Sequence, residues 1–126
     1  MARSSNISKH YALGKQGEAY AQEYVMANGY KILHTNWRHG KKELDIVTLK
    51  DETIVVFEVK TRIDNFWEEP KDAVKIRKQK NMVEAADAYV QKFDYDLEVQ
   101  FDILSLVYNG KGFDLEHIPD AFYPLI

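Results

Sequence analysis

Glu43-Leu44-Asp45-Ile46-Val47-Thr48-Leu49, a polar Lys50-Asp51-Glu52, and then Thr53-Ile54-Val55-Val56-Phe57-Glu58-Val59-Lys60-Thr61 form the stretch on which the fold turns. Two β-rich segments around a short polar break predict a hairpin. A two- or four-residue loop centred on Asp51-Glu52 sets Leu49 opposite Ile54, Val47 opposite Val56, Asp45 opposite Glu58 and Glu43 opposite Lys60. Strand alternation puts these residues on one face and Leu44, Ile46, Thr48, Val55, Phe57, Val59 and Thr61 on the other. Both faces are apolar near the turn, so the hairpin is expected to be central and covered on both sides. Far from the turn, one face becomes charged. Two carboxylates directly opposed, with β-carbons about 4.5–5.5 Å apart, destabilise a sheet. A shared proton, a cationic side chain or a metal ion must offset the repulsion. Lys60 supplies one positive charge. A divalent ion between Asp45 and Glu58 would supply two, and all-oxygen ligation suits Mg²⁺ or Mn²⁺. The alternative is a solvated lattice of Glu43, Asp45, Glu58 and Lys60 at a sheet end.

Outward from the hairpin, Ser8 to Asn28-Gly29 favours helix, with Leu13, Gly17, Ala21, Tyr24 and Val25 on one stripe. Residues 1–10 are expected as a loose polar arm. Tyr30–His34 reads as a short strand and Thr35–Lys42 as a polar loop. Arg62–Pro70 reads as a second loop, and Lys71–Phe93 as a helix with Met82, Ala86, Tyr89, Val90 and Phe93 on its apolar stripe. Leu97–Tyr108 and Phe113–Ile118 read as strands around Asn109-Gly110-Lys111-Gly112, a strong turn signal. The order is α-β-β-β-α-β-β, an α/β domain with a mixed central sheet flanked by helices. With no repeat and no linker, residues 1–126 are expected to form a single domain.

Composition narrows the function classes. The usage is that of an ordinary globular chain, and the longest uninterrupted apolar run, Ile54–Phe57, is far below a membrane span. The absence of cysteine excludes disulfides, thiolate zinc and thiol nucleophiles together. A soluble, cytoplasmic protein without a membrane partner is expected. The net charge of −3 hides an asymmetry: residues 1–83 hold 15 Lys/Arg against 11 Asp/Glu, and residues 84–126 hold two against nine. A basic first part hints at an anionic partner.

Asp45, a gap of twelve residues, and Glu58-Val59-Lys60 on adjacent strands resemble the core of the restriction-endonuclease-like, PD-(D/E)xK nuclease superfamily. Glu18, in Gly17-Glu18-Ala19, resembles the extra acidic residue of archaeal Holliday-junction resolvases. The likeness is closer still to the small bacterial YraN-like family of predicted endonucleases. It rests on Gly14-x-x-Gly17-Glu18, Asn36-x-Arg38, Glu43-Leu44-Asp45-Ile46, Val56-Phe57-Glu58-Val59-Lys60-Thr61-Arg62, Phe101-Asp102-Ile103 and His117-Ile118-Pro119-Asp120-Ala121-Phe122. Two positions depart from that pattern: Lys42 stands where the family usually has Gly, and Gln100 where it usually has Arg. The resemblance implies a restriction-endonuclease-like core and metal-assisted phosphodiester hydrolysis. Asp45, Glu58 and the Val59 carbonyl would hold Mg²⁺ or Mn²⁺, Glu18 would complete the metal shell, and Lys60 would orient water or stabilise charge.

Nucleic acid, DNA in the first instance, is the expected partner, together with a second copy of the chain as a homodimer. Arg38, Lys41 and Lys42 precede the acidic strand, Arg62 follows Glu58-Val59-Lys60, and Lys75, Arg77, Lys78 and Lys80 load one helix start; all are candidate phosphate contacts. Phe66 and Trp67 are weighed as base-stacking residues against core caps. The histidines at 10, 34, 39 and 117 lack metal-ligand spacing, and a structural role is expected for His117. The competing function class is a non-catalytic nucleic-acid-binding or assembly module retaining the nuclease fold. A third is an interaction domain using the Ile118–Ile126 tail.

Overall fold

The computed structural model describes the backbone of residues 2–63 and 74–123, and side chains from residue 12 onward within those ranges. Helix α1 (Ala2–Ala27) leads into strands β1 (Lys31–His39), β2 (Lys42–Lys50) and β3 (Thr53–Ile63). Helix α2 (Ile76–Lys92) and strands β4 (Glu98–Tyr108) and β5 (Phe113–Phe122) follow. The sheet runs β1-β2-β3-β4-β5, with β3 and β4 parallel and every other neighbouring pair antiparallel. The chain is therefore an α/β protein with a five-stranded mixed sheet and the α-β-β-β-α-β-β order its sequence implies.

The central hairpin closes on a two-residue turn. Lys50 pairs with Thr53, and Asp51 and Glu52 both take positive φ (49° and 63°). That backbone matches the right-handed twist of the strands it joins. The register pairs Leu49 with Ile54 and Val47 with Val56, as the turn requires. At the other hairpin, Asn109 Oδ1 accepts from the Lys111 and Gly112 amides, both at 2.9 Å.

Each face of the sheet has its own core. Under α2, Val47, Ile54, Val56, Phe101 and Ile103 pack with Met82, Ala85, Ala86 and Tyr89. Under α1, Ile46, Val55, Phe57, Leu104 and Leu106 pack with Ala21 and Val25. Helix α1 presents Leu13, Gly17, Ala21 and Val25, four buried residues at a spacing of four. A Cβ on Gly17 would stand 2.3 Å from Thr61 Oγ1 and 3.2 Å from Thr61 Cβ. The glycine thus lets the helix backbone lie directly on β3.

Several boundaries differ from expectation, each for a physical reason. The helix starts at Ala2 rather than Ser8, because Ala2–His10 contains neither Gly nor Pro and nothing stops propagation. Thr35–His39, polar apart from Trp37, which packs against the α2-side core, continue β1 instead of forming a loop, leaving only Gly40 and Lys41 between β1 and β2. An edge strand with an exposed face carries polar residues without losing its ladder. Strand β5 passes Ile118 and continues through Pro119 to Phe122, which an edge position permits because one side of the strand needs no N–H. Both edge strands contain a non-glycine residue at positive φ, Asn36 in β1 (51°) and Asp120 in β5 (52°). Phe66, Trp67 and Lys71 lie outside the described residues, as do the start expected for the second helix and the last residues of the tail.

Gly17→Ala is expected to lower the unfolding free energy by about 1–3 kcal/mol through overpacking against Thr61. Gly14→Ala, on the same helix with no heavy atom within 4 Å of the added carbon, should raise it by about 1 kcal/mol through helix propensity. Urea denaturation of the two variants beside the parent checks both signs.

Candidate active site

The carboxylate end of the hairpin is where its two strands part. Backbone pairing between β2 and β3 runs from Lys50–Thr53 to Ile46–Phe57. Beyond it β2 stays with β1 as far as Lys42, and β3 stays with β4 as far as Ile63. Asp45 occupies the fork. Its Oδ2 accepts the Val59 amide hydrogen at 2.8 Å, a bond the departed strand would otherwise have supplied. Strict alternation would put Leu44 with Ile46 on the α1 side, yet Leu44 packs into the α2-side core. Alternation therefore slips at Asp45, and the expected facing of Leu44 is corrected.

Asp45 and Glu58 act on one another through their side chains rather than across a ladder pair, since the Asp45–Glu58 pair is absent from the β2–β3 register. Burial pushes the Asp45 carboxyl up to about 8, with the Glu58 hydrogen bond and charge acting in the same direction and the Val59 amide and Lys78 opposing. Glu58 is 8% exposed, and its Oε1 is buried without a hydrogen-bond partner. Its other oxygen lies 3.5 Å from Lys78 Nζ. An extended residue presents N–H and C=O on the same strand edge. The Val59 carbonyl therefore faces the same fork as its amide.

Glu18 approaches from α1, which Gly17 holds against β3. Partial burial raises its pKa first, and the charges of Asp45 and Glu43 add to the rise. Among the described residues, no group of three His, Asp or Glu side chains meets at metal-ligand distance; Glu18 acts on the pair through its charge. Lys60 is exposed two residues beyond Glu58 on β3, and half-buried Arg62 continues that row. The expected opposition of Glu43 and Lys60 does not form, because the strands have already separated. Glu43 instead pairs with Arg38 across β1 and β2, at 2.9 Å.

The cations divide accordingly. Arg38 is tied to Glu43, and Lys42 reaches across to Glu84 on α2. Lys78, expected as an outward phosphate contact, turns toward the carboxylates. Lys75, Arg77 and Lys80 are exposed at the start of α2, and Lys41 is exposed in the β1–β2 turn. Helix α2 has no acidic residue in its first turn and no side-chain N-cap bond. Four cations at the positive end of a helix dipole oppose its stability.

A family model described as "Uncharacterised protein family UPF0102" matches residues 17–106, from Gly17 and Glu18 through the Asp45–Glu58 fork and Lys78 into β4. The chain belongs to this family. A UPF0102 protein of Parabacteroides distasonis is 47% identical to it, over 93% of this chain and 97% of its own length. One from Phocaeicola vulgatus is 45% identical over 95% and 99%, and one from Flavobacterium psychrophilum 42% over 93% and 98%. Among the described residues, no helix is long and apolar enough to cross a membrane.

The UPF0102 match also takes in Asp102, the centre of a polar network that the sequence did not disclose. Asp102 is fully buried. Its Oδ2 lies 2.7 Å from His117 Nε2, whose Nδ1 lies 2.9 Å from the Tyr24 hydroxyl on α1. Its Oδ1 accepts from Gln100 Nε2 and the Asp120 amide, both at 2.9 Å. With Nε2 protonated toward Asp102, His117 accepts the Tyr24 hydroxyl hydrogen at Nδ1. Gln100, the departure from the family pattern, thus supports a buried carboxylate. The available signal was Asp102 itself, an acid between Phe101 and Ile103 in an apolar strand. Lys78 was named as a phosphate contact, but its spacing on the helix revealed a basic end and not its approach to Glu58.

The raised Asp45 pKa fixes a direction for pH. The folded state holds this proton more tightly than the unfolded chain, so the associated stability is present near pH 4 and is lost as pH rises toward 8. Asp45→Asn should flatten the thermal unfolding midpoint across that window and leave the variant the more stable protein above pH 8. A wild-type midpoint that is level between pH 4 and 8 would contradict the shared proton.

Proposed function

We propose that this protein is a divalent-metal-dependent nuclease that hydrolyses phosphodiester bonds of nucleic acid, with a restriction-endonuclease-like core. One observation carries the reading. Buried Glu58 and part-buried Asp45 meet where β2 and β3 fork, with Glu58 Oε1 lacking a hydrogen-bond donor and Asp45 driven toward protonation. Buried acceptors without partners are rare, because each forfeits its solvation. Hard oxygen donors in this state suit Mg²⁺ or Mn²⁺. Asp45, Glu58 and the Val59 carbonyl would hold the ion, and Glu18 would add negative charge from α1. Bound there, the ion would polarise the scissile phosphate and acidify a water.

The chain's own residues supply the rest. Asp45 must give up its proton to become a ligand, so binding strengthens as pH rises toward 8. Lys60, exposed two residues beyond Glu58 on β3, would orient the attacking water and stabilise charge on the phosphorane. In the hydrolysis, the water oxygen bonds to phosphorus, one bridging P–O bond breaks, and a proton passes to the leaving oxygen. Lys41, Lys75, Arg77 and Lys80 offer phosphate contacts whose affinity weakens with salt. DNA is the substrate class we favour, and the reading includes cytoplasmic action and a homodimer. A binding module with the same fold would keep the salt-dependent affinity and lack turnover.

Single-turnover assays with Mn²⁺ on labelled single-stranded, duplex and branched DNA test the reading. Wild type should cleave at least one substrate. Lys60→Ala and Asp45→Asn should each lose about 10²–10³-fold in rate, Lys60→Ala with little change in affinity. Cleavage undiminished in Asp45→Asn, or no cleavage of any substrate by a wild type that still binds, would remove the nuclease and leave the binding module.

A further inference from the structure

Lys78 has two features that a simple phosphate contact does not need. Its ammonium lies 3.5 Å from Glu58 Oε2, and its side chain is 43% exposed, whereas that of Glu58 is 11% exposed. The lysine therefore enters from solvent and stops at the mouth of the buried pair. It is the third residue of α2, whose first turn holds no acid, and three further cations stand nearby in the sequence. A lysine there is disfavoured by the helix dipole, and the Glu58 carboxylate supplies the opposing charge. The pair thus has a monovalent cation from its own chain at one oxygen and a vacant acceptor at the other.

We propose that Lys78 is the resident counter-ion of the Asp45–Glu58 pair, which a divalent cation displaces on binding and so releases toward the substrate phosphate. This rests on the metal-dependent reading above. A doubly charged ion at the pair and an ammonium 3.5 Å from Glu58 repel one another, and neighbouring charges at this range move binding equilibria by a factor of ten or more. The exposed side chain lets the ammonium swing outward without unpacking α2. Once outside, it joins the other cations of the helix start, which makes nucleic-acid affinity depend on metal.

Calorimetric titration with Mn²⁺ at one fixed pH tests the competition in wild type, Lys78→Met, Lys78→Gln, Lys80→Met and Asp45→Asn. Both Lys78 variants should bind Mn²⁺ about tenfold more tightly than wild type. Lys80→Met, which removes an exposed charge on the same helix, should stay within about twofold. Duplex affinity, measured with cleavage-inert Ca²⁺ against no metal, should rise for wild type and stay level for both Lys78 variants. Equal or weaker Mn²⁺ binding in the Lys78 variants, with Asp45-dependent binding intact in wild type, overturns the counter-ion and leaves the metal site standing. Absence of Asp45-dependent Mn²⁺ binding in every protein overturns both.

Discussion

The hydrogen bond from the Val59 amide to the Asp45 carboxylate is the contact around which this molecule is arranged. A sheet that opens between two strands exposes a row of backbone donors and acceptors, and burial of that row is costly. Here a side chain closes the gap at its first open position. β2 can then follow β1 while β3 follows β4, and the carboxylates gather where the two strands part. Glu58 faces the fork from β3, where Lys78 of α2 reaches it. The geometry of the fork and the chemistry of the carboxylates are therefore one constraint.

Two helices hold the fork from opposite faces by different means. Gly17 lets α1 rest on Thr61 and brings Glu18 to the edge of the pair. Tyr24, farther along α1, is bolted to β4 and β5 by His117 and the buried Asp102. A fully satisfied buried network fixes a single arrangement of the elements it joins. On the other face α2 contributes Met82, Ala85, Ala86 and Tyr89 to the core and sends Lys78 to Glu58. Displacement of either helix would alter the charge at the fork before it disturbed the sheet.

The element order and central register were legible in the sequence because alternation and turn chemistry are local: Asp51-Glu52 and the β-branched residues around it leave little choice. The meeting of Asp45 with Glu58 was legible for the same reason. The parting of the strands was not. It depends on β1 and β4 drawing the two strands apart, a competition between ladders that no local pattern encodes, and it reassigned Glu43 from Lys60 to Arg38. Thr35–His39 was misread because polar residues suit an edge strand as well as a loop. The orientation of Lys78 and the partners of Asp102 required packing across the sheet, which periodicity on one element does not carry.

The two residues at positive φ in the outer strands, Asn36 and Asp120, bear on how this sheet meets other chains. An open strand edge is a template, and a straight one recruits further strands into aggregates. A left-handed residue interrupts the extended backbone and turns its hydrogen-bonding groups out of line. On β5 the interruption is reinforced: Pro119 has no N–H to offer, and the Asp120 amide is already committed to Asp102. At these points the five-stranded sheet denies a sixth strand a continuous seam. With its faces covered by the two helices, the sheet's borders discourage polymerisation.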